Sequence, residues 1–329
     1  MPISRKKILR IALAAGAALL PVQIAKAQQS WPTGKVISYV VPYPPGGTTD
    51  VLARLIVQKI APALGATIIV ENKPGATGVI GGDFVARSAP DGFMLLGSSI
   101  GPMAILKSLN PKLPYDPVGS FEQVVMVGTI PSVLIVAGSS PYQSVADLIQ
   151  AAKSRPGELS YASGGNGTIL HISGELLKLR AGIDLVHVPY KGDTPAIQDV
   201  LGGHVSAMFV PVAPVLEHIR AGRLRALAVA SNGRIDSLPN VPTTSEAGLR
   251  DAEAEQWQAV FAPKGTPRAI VDRLNAEIVA ALKDPEVAAK LQALGVTARA
   301  GTPDELRRFQ EADVEKWARV IRSAGIRLE

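Results

Sequence analysis

Two stretches of this chain follow one plan, and that plan restricts the fold more than any other feature. Val36–Ile56 reads VISYVVPYPPGGTTDVLARLI and Leu159–Leu179 reads LSYASGGNGTILHISGELLKL. Each is a β-like apolar run, then a glycine-rich turn, then an amphipathic segment of helical period. A helix entered through such a turn leaves its first N–H groups without intrahelical acceptors. The helix dipole adds partial positive charge at the same end. Each turn is therefore a candidate anion site. Their separation of more than a hundred residues predicts one anion held between two lobes.

The rest of the chain repeats the alternation. Strands are expected near Val36–Val41, Ala66–Val70, Phe93–Gly97, Val124–Val127, Val133–Val136, Leu159–Ala162, Leu185–Pro189, Val205–Val210 and Leu224–Ala230. Helices are expected at Asp50–Ala63, Val79–Ser88, Val145–Lys153, Ile169–Leu179, Pro195–Leu201, Pro214–Ala221, Pro267–Leu282, Pro285–Leu294 and Pro303–Ser323. Proline near the start and glycine past the end mark several of these helices. Continuous apolar strands between helices predict α/β layers, each with a mostly parallel sheet. After Pro267 the chain is mostly helical, with one short β-like run at Val296–Ala300. Helices without a sheet of their own must pack on one already built. The expected division is a first lobe from residues 28–130 and 256–329 and a second from 131–255, hinged at two crossing segments.

The N-terminus bears on location. Residues 1–27 carry a basic start (Arg5, Lys6, Lys7, Arg10), an apolar core from Ile11 to Leu20, and Ala25-Lys26-Ala27. This is the layout of a secretory signal peptide cleaved after Ala27, and its core is too short to span a bilayer. The expected destination is the periplasm. The leader holds five of the 34 basic residues and none of the 28 acidic ones, so the net charge of +6 falls to +1 without it. The basic balance belongs to the leader and does not indicate nucleic acid as a partner. There is no cysteine, hence no disulfide and no lipid-attachment thiol.

The candidate ligand residues lie at strand ends. The first turn offers Tyr43, Gly46, Gly47 and Thr48; the second offers Ser163, Gly164, Asn166, Gly167 and Thr168. Gly165-x-Gly167-x-x-Leu170 lacks the third glycine of a dinucleotide fingerprint. Tyr190 and Lys191 close another strand-like run, where α/β sheets place ligands. Ser98 and Ser99 lie in Gly97-Ser98-Ser99-Ile100-Gly101, which matches G-x-S-x-G. A nucleophile elbow there would make the chain an exported α/β-hydrolase with Ser99 as nucleophile and one of His171, His187, His204 or His218 as base. The alternative is that both serines are polar residues at a strand end lining the cleft. The histidines do not have metal-ligand spacing, and no phosphate-binding G-x-x-x-x-G-K-[ST] occurs.

An ordered set of segments carries a resemblance: Pro42–Gly47 with Asp50, Glu71–Gly75, Ala89–Phe93, Leu113–Pro117, Tyr161–Thr168, His187–Gly192, Leu224–Val229, Pro239–Thr243 and Phe261–Pro267. Over essentially its whole length after the leader, the chain resembles the substrate-binding proteins of tripartite tricarboxylate transporters, the Bug-type periplasmic receptors. The resemblance implies a two-lobed periplasmic-binding-protein fold of type II with a hinged cleft. It also implies capture of a small carboxylate by backbone amides of loops matching Tyr43–Thr48 and Ser163–Thr168, and delivery to a membrane permease of two subunits. No catalysis and no cofactor are implied, and a monomer is expected. A subunit presenting its ligand to a membrane kinase would need the same closed state. The chain departs from the family at Val210-Pro211, where many members carry Asp-Asn, and at Ile100–Met103 and Glu255–Trp257. Without that acid, Val210 cannot contact an amine, and the expected ligand lacks an ammonium group and has an apolar or aromatic body.

Overall fold

The computed structural model describes residues 31–231, 233–250 and 252–327. The expected leader lies outside them.

The strands form two sheets. The first contains β1 (Ile37–Val41), β2 (Ile68–Asn72), β3 (Met94–Ser99), β4 (Phe121–Ile130), β10 (Gln256–Pro263) and β11 (Thr297–Ala298), in the order β11-β4-β10-β3-β1-β2. The second contains β5 (Ser132–Ala137), β6 (Ser160–Ser163), β7 (Val186–Pro189), β8 (Ala207–Pro211) and β9 (Leu224–Val229), in the order β7-β6-β8-β5-β9. Only Pro131 separates β4 from β5, so the chain passes from one sheet to the other almost without a loop. It returns at Gln256, which pairs with Ile130.

The fold is two-lobed and α/β, but both sheets are mixed rather than mostly parallel. β1 is parallel to β2 and β3, and β6 is parallel to β7 and β8. Around the crossings the pairing reverses: β10 runs antiparallel to β3 and β4, and β5 to β8 and β9. The cause is the connection itself. A strand leaving a lobe and the strand that returns to it must run in opposite directions.

The helices follow from their ends. α1 (Thr48–Leu64) starts after extended Gly47 and stops at left-handed Gly65. After α2 (Val79–Ala86) comes a π-helical turn at Gly101–Ile105, which leads into α3 (Leu106–Leu109). The second lobe carries α4 (Val145–Ser154), α5 (Ile169–Ala181), α6 (Asp193–Leu201) and α7 (Leu216–Arg220). Ser144 and Asp147 form a reciprocal capping box on α4. The C-terminal helices are α8 (Arg268–Lys283), α9 (Pro285–Ala293) and α10 (Pro303–Ala324), the last entered through a second capping box, Thr302 with Glu305.

Two cores result. One joins α1, α8 and α9 to one face of the first sheet. The other runs from the opposite face of that sheet into the second lobe, through residues such as Leu96, Trp257, Trp317, Ile135 and Leu170. α10 packs on β4 and also on α5, and Lys316 Nζ donates to the Glu253 carbonyl at 3.0 Å. The last helix therefore holds both lobes.

Candidate functional site

A cavity of about 520 Å³ opens between the two sheets. This volume lies within the usual range for small-molecule sites. Its lining comes from the turns beyond the carboxyl ends of β1, β2, β3, β6, β7 and β8, where α/β folds place ligands. β10 contributes Gln256, its first residue.

Three helices point their N-termini into this cavity. α1 brings Gly47, Thr48 and Thr49; α5 brings Thr168, Ile169 and Leu170; α6 brings Gly192, Asp193 and Thr194. The sequence suggested two of these ends. In each helix the first two N–H groups have no intrahelical acceptor, so six N–H donors and three positive dipole ends face one space. Among the described lining residues the one charged side chain is Asp193. The positive potential therefore comes from backbone and not from lysine or arginine. Pro44, Pro45, Ile100, Leu170 and Pro211 supply apolar walls.

The first turn is held by a buried acid. Asp50 Oδ2 accepts the Gly46 N–H at 2.9 Å and Arg54 Nε–H at 2.9 Å. Its Oδ1 accepts from Arg54 Nη2 and from Asn72 Nδ2 at 3.0 and 2.9 Å. Asn72 Nδ2 also donates to the Tyr43 carbonyl at 3.0 Å. The Arg54 hydrogen bonds, aided by those of Gly46 and Asn72, overcome desolvation and lower the Asp50 pKa to about 2. Gly46 has φ +85, a conformation that disfavours a side chain.

Tyr43 Oη and Ser99 Oγ are 2.6 Å apart. Burial raises the Tyr43 pKa to about 12 against the opposing effect of that bond, so the phenol stays neutral. The described bond of Ser99 is thus to a phenol, and none of the four histidines lines the cavity.

The second turn spends its polar groups on itself. Ser163 is fully buried and lies 2.7 Å from His187 Nε2, and its Oγ accepts the Gly165 N–H. Gly167 N–H donates to His171 Nδ1, and Thr168 N–H to the Gly165 carbonyl. Thr168 Oγ1 caps α5 by accepting from His171 N–H. His171 and His187 are stacked at 4.2 Å, with Tyr161 against the far face of His187 at 4.8 Å.

Of the residues expected from sequence, Tyr43, Gly47, Thr48, Ser99 and Thr168 line the cavity; Gly46, Ser98, Ser163, Gly164, Asn166, Gly167, Tyr190, Lys191 and Val210 do not. Ser98 and Val210 are buried, Lys191 is exposed, and the Tyr190 hydroxyl donates to Asp199 at 2.5 Å. Pro211 lines the cavity in place of Val210, while Ile100, Gly101 and Gln256 do so from the two other segments that depart from the family pattern. Thr77, Ile169, Leu170, Gly192, Asp193 and Thr194 were not expected. For Gly192–Thr194 a signal existed: Tyr190-Lys191-Gly192 at a strand end implies that a helix begins directly after it.

The described residues contain no group of three or more histidine, cysteine, aspartate or glutamate side chains placed to hold a metal ion. No described helix is long and apolar enough to cross a membrane.

Comparison with known proteins agrees with the two-lobed fold. A family model described as the tripartite tricarboxylate transporter family receptor matches residues 52–326. Protein BugT of Bordetella pertussis is 42% identical over 294 residues, which cover 89% of this chain and 90% of BugT. The structure of R. palustris Rpa4515 with adipate superposes with a TM-score of 0.82 at 35% identity, covering 90% of this chain and 99% of that one. The periplasmic binding protein BugD superposes with a TM-score of 0.78 at 34% identity, covering 89% and 99%.

Proposed function

The chain belongs to the tripartite tricarboxylate transporter receptor family, a family of periplasmic solute-binding proteins, and from that premise we propose that it captures a small carboxylate in the cavity between its lobes. The observation that carries this reading is the convergence of the α1, α5 and α6 N-termini on one space with no basic side chain among its described lining residues. A carboxylate is the anion that such a site suits. It is singly charged per group, planar, and able to accept two or more N–H bonds. The six N–H donors come from two lobes, so both lobes must be in place for the full set. Closing them around the ligand removes water and strengthens each bond. The apolar walls then select ligands by shape. Two groups of donors, α1 on one lobe and α5 with α6 on the other, suit a ligand with a carboxylate at each end, and adipate bound to Rpa4515 is a ligand of that kind.

The rest of the reading follows from residues 1–27 and from the family. The leader takes the protein across the inner membrane and is cleaved after Ala27. The closed monomer delivers its ligand to a permease with two membrane subunits. The lobes divide at Pro131 and Gln256, which move little while the cleft opens and shuts.

The test is a thermal-shift panel on ligand-free protein with C4 to C6 dicarboxylates, citrate, aromatic carboxylates and acidic amino acids. A ligand at a hundred times its Kd adds about 2.7 kcal/mol to stability. A selective shift supports the receptor and names its carboxylate class. A flat response across the panel, together with turnover of ester substrates that Ser99→Ala abolishes, would replace it with the hydrolase reading.

A further inference from the structure

Two acids stand in the first turns of helices that face the cavity, and they are in opposite states. Asp50 accepts from Gly46, Arg54 and Asn72, so its lone pairs are committed to holding its own turn. Asp193, the first residue of α6, lines the cavity and has no hydrogen-bond or ion-pair partner among the described residues. Its carboxylate nevertheless lies close against the backbone of the second turn. A Cβ on Gly164 would come within 2.2 Å of Asp193 Oδ1, so the carboxylate is seated directly on the second glycine-rich turn.

Building on the receptor reading, we propose that Asp193 sets this protein's choice among carboxylates, by accepting a hydrogen bond from a hydroxyl or ammonium group carried next to the ligand's carboxylate. A carboxylate held by the N–H groups of α5 and α6 sits close to Asp193, and two like charges in a partly dewatered space repel strongly. Burial already pushes the Asp193 carboxyl up from its ordinary value. A donor on the ligand, placed between the two carboxylates, converts that repulsion into two favourable contacts. A ligand lacking the donor leaves Asp193 unsatisfied or obliges it to take up a proton, and sites built around a buried polar group reject such analogues. Val210 argued for a ligand without an ammonium group because an acid is missing there. Asp193 returns an acid to the cleft from a different turn, and Val210 does not line it.

The experiment measures Kd by calorimetry on ligand-free protein with matched sets of C4, C5 and aromatic carboxylates. Each set carries hydrogen, hydroxyl or ammonium at C2, as in succinate, malate and aspartate. Wild type should bind the hydroxyl or ammonium member of the preferred set about tenfold or more tighter than the plain one. Asp193→Ala should reduce that preference to within about threefold, chiefly by tightening the plain member. Asp193→Asn separates the two donors: it keeps an acceptor for a hydroxyl but loses the charge that pairs with ammonium. Unchanged melting temperatures would show both variants to be folded. A wild type that binds a plain carboxylate as tightly as its substituted partners overturns the inference and leaves the receptor reading standing; so does a preference that survives Asp193→Ala. Failure of every set to bind wild type overturns the receptor reading, and the inference falls with it.

Discussion

Asp50 accepts the backbone N–H of Gly46 at 2.9 Å, so the carboxylate of the first helical turn closes the proline-glycine turn that precedes it. Through Asn72 the same side chain also fixes the Tyr43 carbonyl. The turn that presents Gly47, Thr48 and Thr49 to the cavity is therefore positioned by an acid that does not itself line it.

Asp50→Ala should cost about 2–3 kcal/mol in urea unfolding, because it strands the hydrogen-bonding groups of Arg54, Asn72 and Gly46. Carboxylate affinity should fall along with stability. The native pKa of about 2 lies below the ordinary 3.8. The contribution of Asp50 is thus fully present above pH 3.8 and is lost as pH falls toward 2, where the folded state takes up the proton too. Acid unfolding of Asp50→Asn should lack that component of the pH dependence. An alanine variant with wild-type stability would remove Asp50 from its role in holding the turn.

Gly174 lies in the middle of α5, where alanine ordinarily adds about 1 kcal/mol of helix propensity. Here the sign should reverse. A Cβ would meet Tyr161 Cε2 at 2.0 Å. The ring cannot swing away, because it is buried, stacked on His187, and donates its hydroxyl proton to Glu175 at 2.6 Å. Gly174→Ala should destabilise the protein by about 1–3 kcal/mol, measured as a lowered urea midpoint at constant m-value. A neutral or stabilising effect would mean that Tyr161 is less confined than its contacts indicate.

Thr168 closes the second turn at both ends. Its Oγ1 accepts from His171 N–H at 3.3 Å and donates to the Gly165 carbonyl at 2.8 Å. Thr168→Ala should cost about 1 kcal/mol as a lost N-cap, while Thr168→Ser should restore most of it. Since Ile169 and Leu170 follow directly and line the cavity, the alanine variant should also bind carboxylate more weakly. Calorimetry on all three proteins would show whether affinity and cap move together.

The glycine-rich turns were legible because their chemistry is local: a strand end, glycines, a capping hydroxyl and a helix period all lie within twenty residues. What those turns do with their polar atoms was not. Ser163 reads as a ligand contact, yet its hydroxyl is taken by His187 and Gly165. In a turn of this kind a short polar side chain reaches its own backbone as easily as a ligand. β10 was hidden because Gln256 and Gln258 interrupt its apolar run. In the fold Gln256 faces the cavity, and Gln258 is buried with its Oε1 accepting from Thr49 Oγ1 across 209 residues of sequence. That partner exists only once the first turn is in place. Asp193 was missed for a similar reason. The strand end at Tyr190-Lys191-Gly192 signals a helix start beside it, but its place against Gly164 of the other turn exists only in the fold.

His171 should make stability fall as pH falls through the range near its ordinary pKa. Its Nδ1 must be unprotonated to accept the Gly167 N–H. Burial lowers its pKa from 6.5, opposed by Glu175 one turn further along α5 and reinforced by Lys178. The His187 ring, with Tyr161 behind it, faces His171 across the stack and helps to keep it from solvent. Above pH 6.5 both folded and unfolded chains hold His171 neutral, and it contributes no slope. Below that, the unfolded chain takes a proton that the folded chain declines, so stability drops until the lowered folded pKa is reached. Melting temperature should decline as pH falls below about 6.5, and carboxylate affinity with it, because the proton releases the second turn. His171→Asn keeps an acceptor for Gly167 without the titration and should flatten both profiles. If the variant titrates as the wild type does, the dependence belongs to His187 or to another group, and His171 is not the residue that couples the second turn to pH.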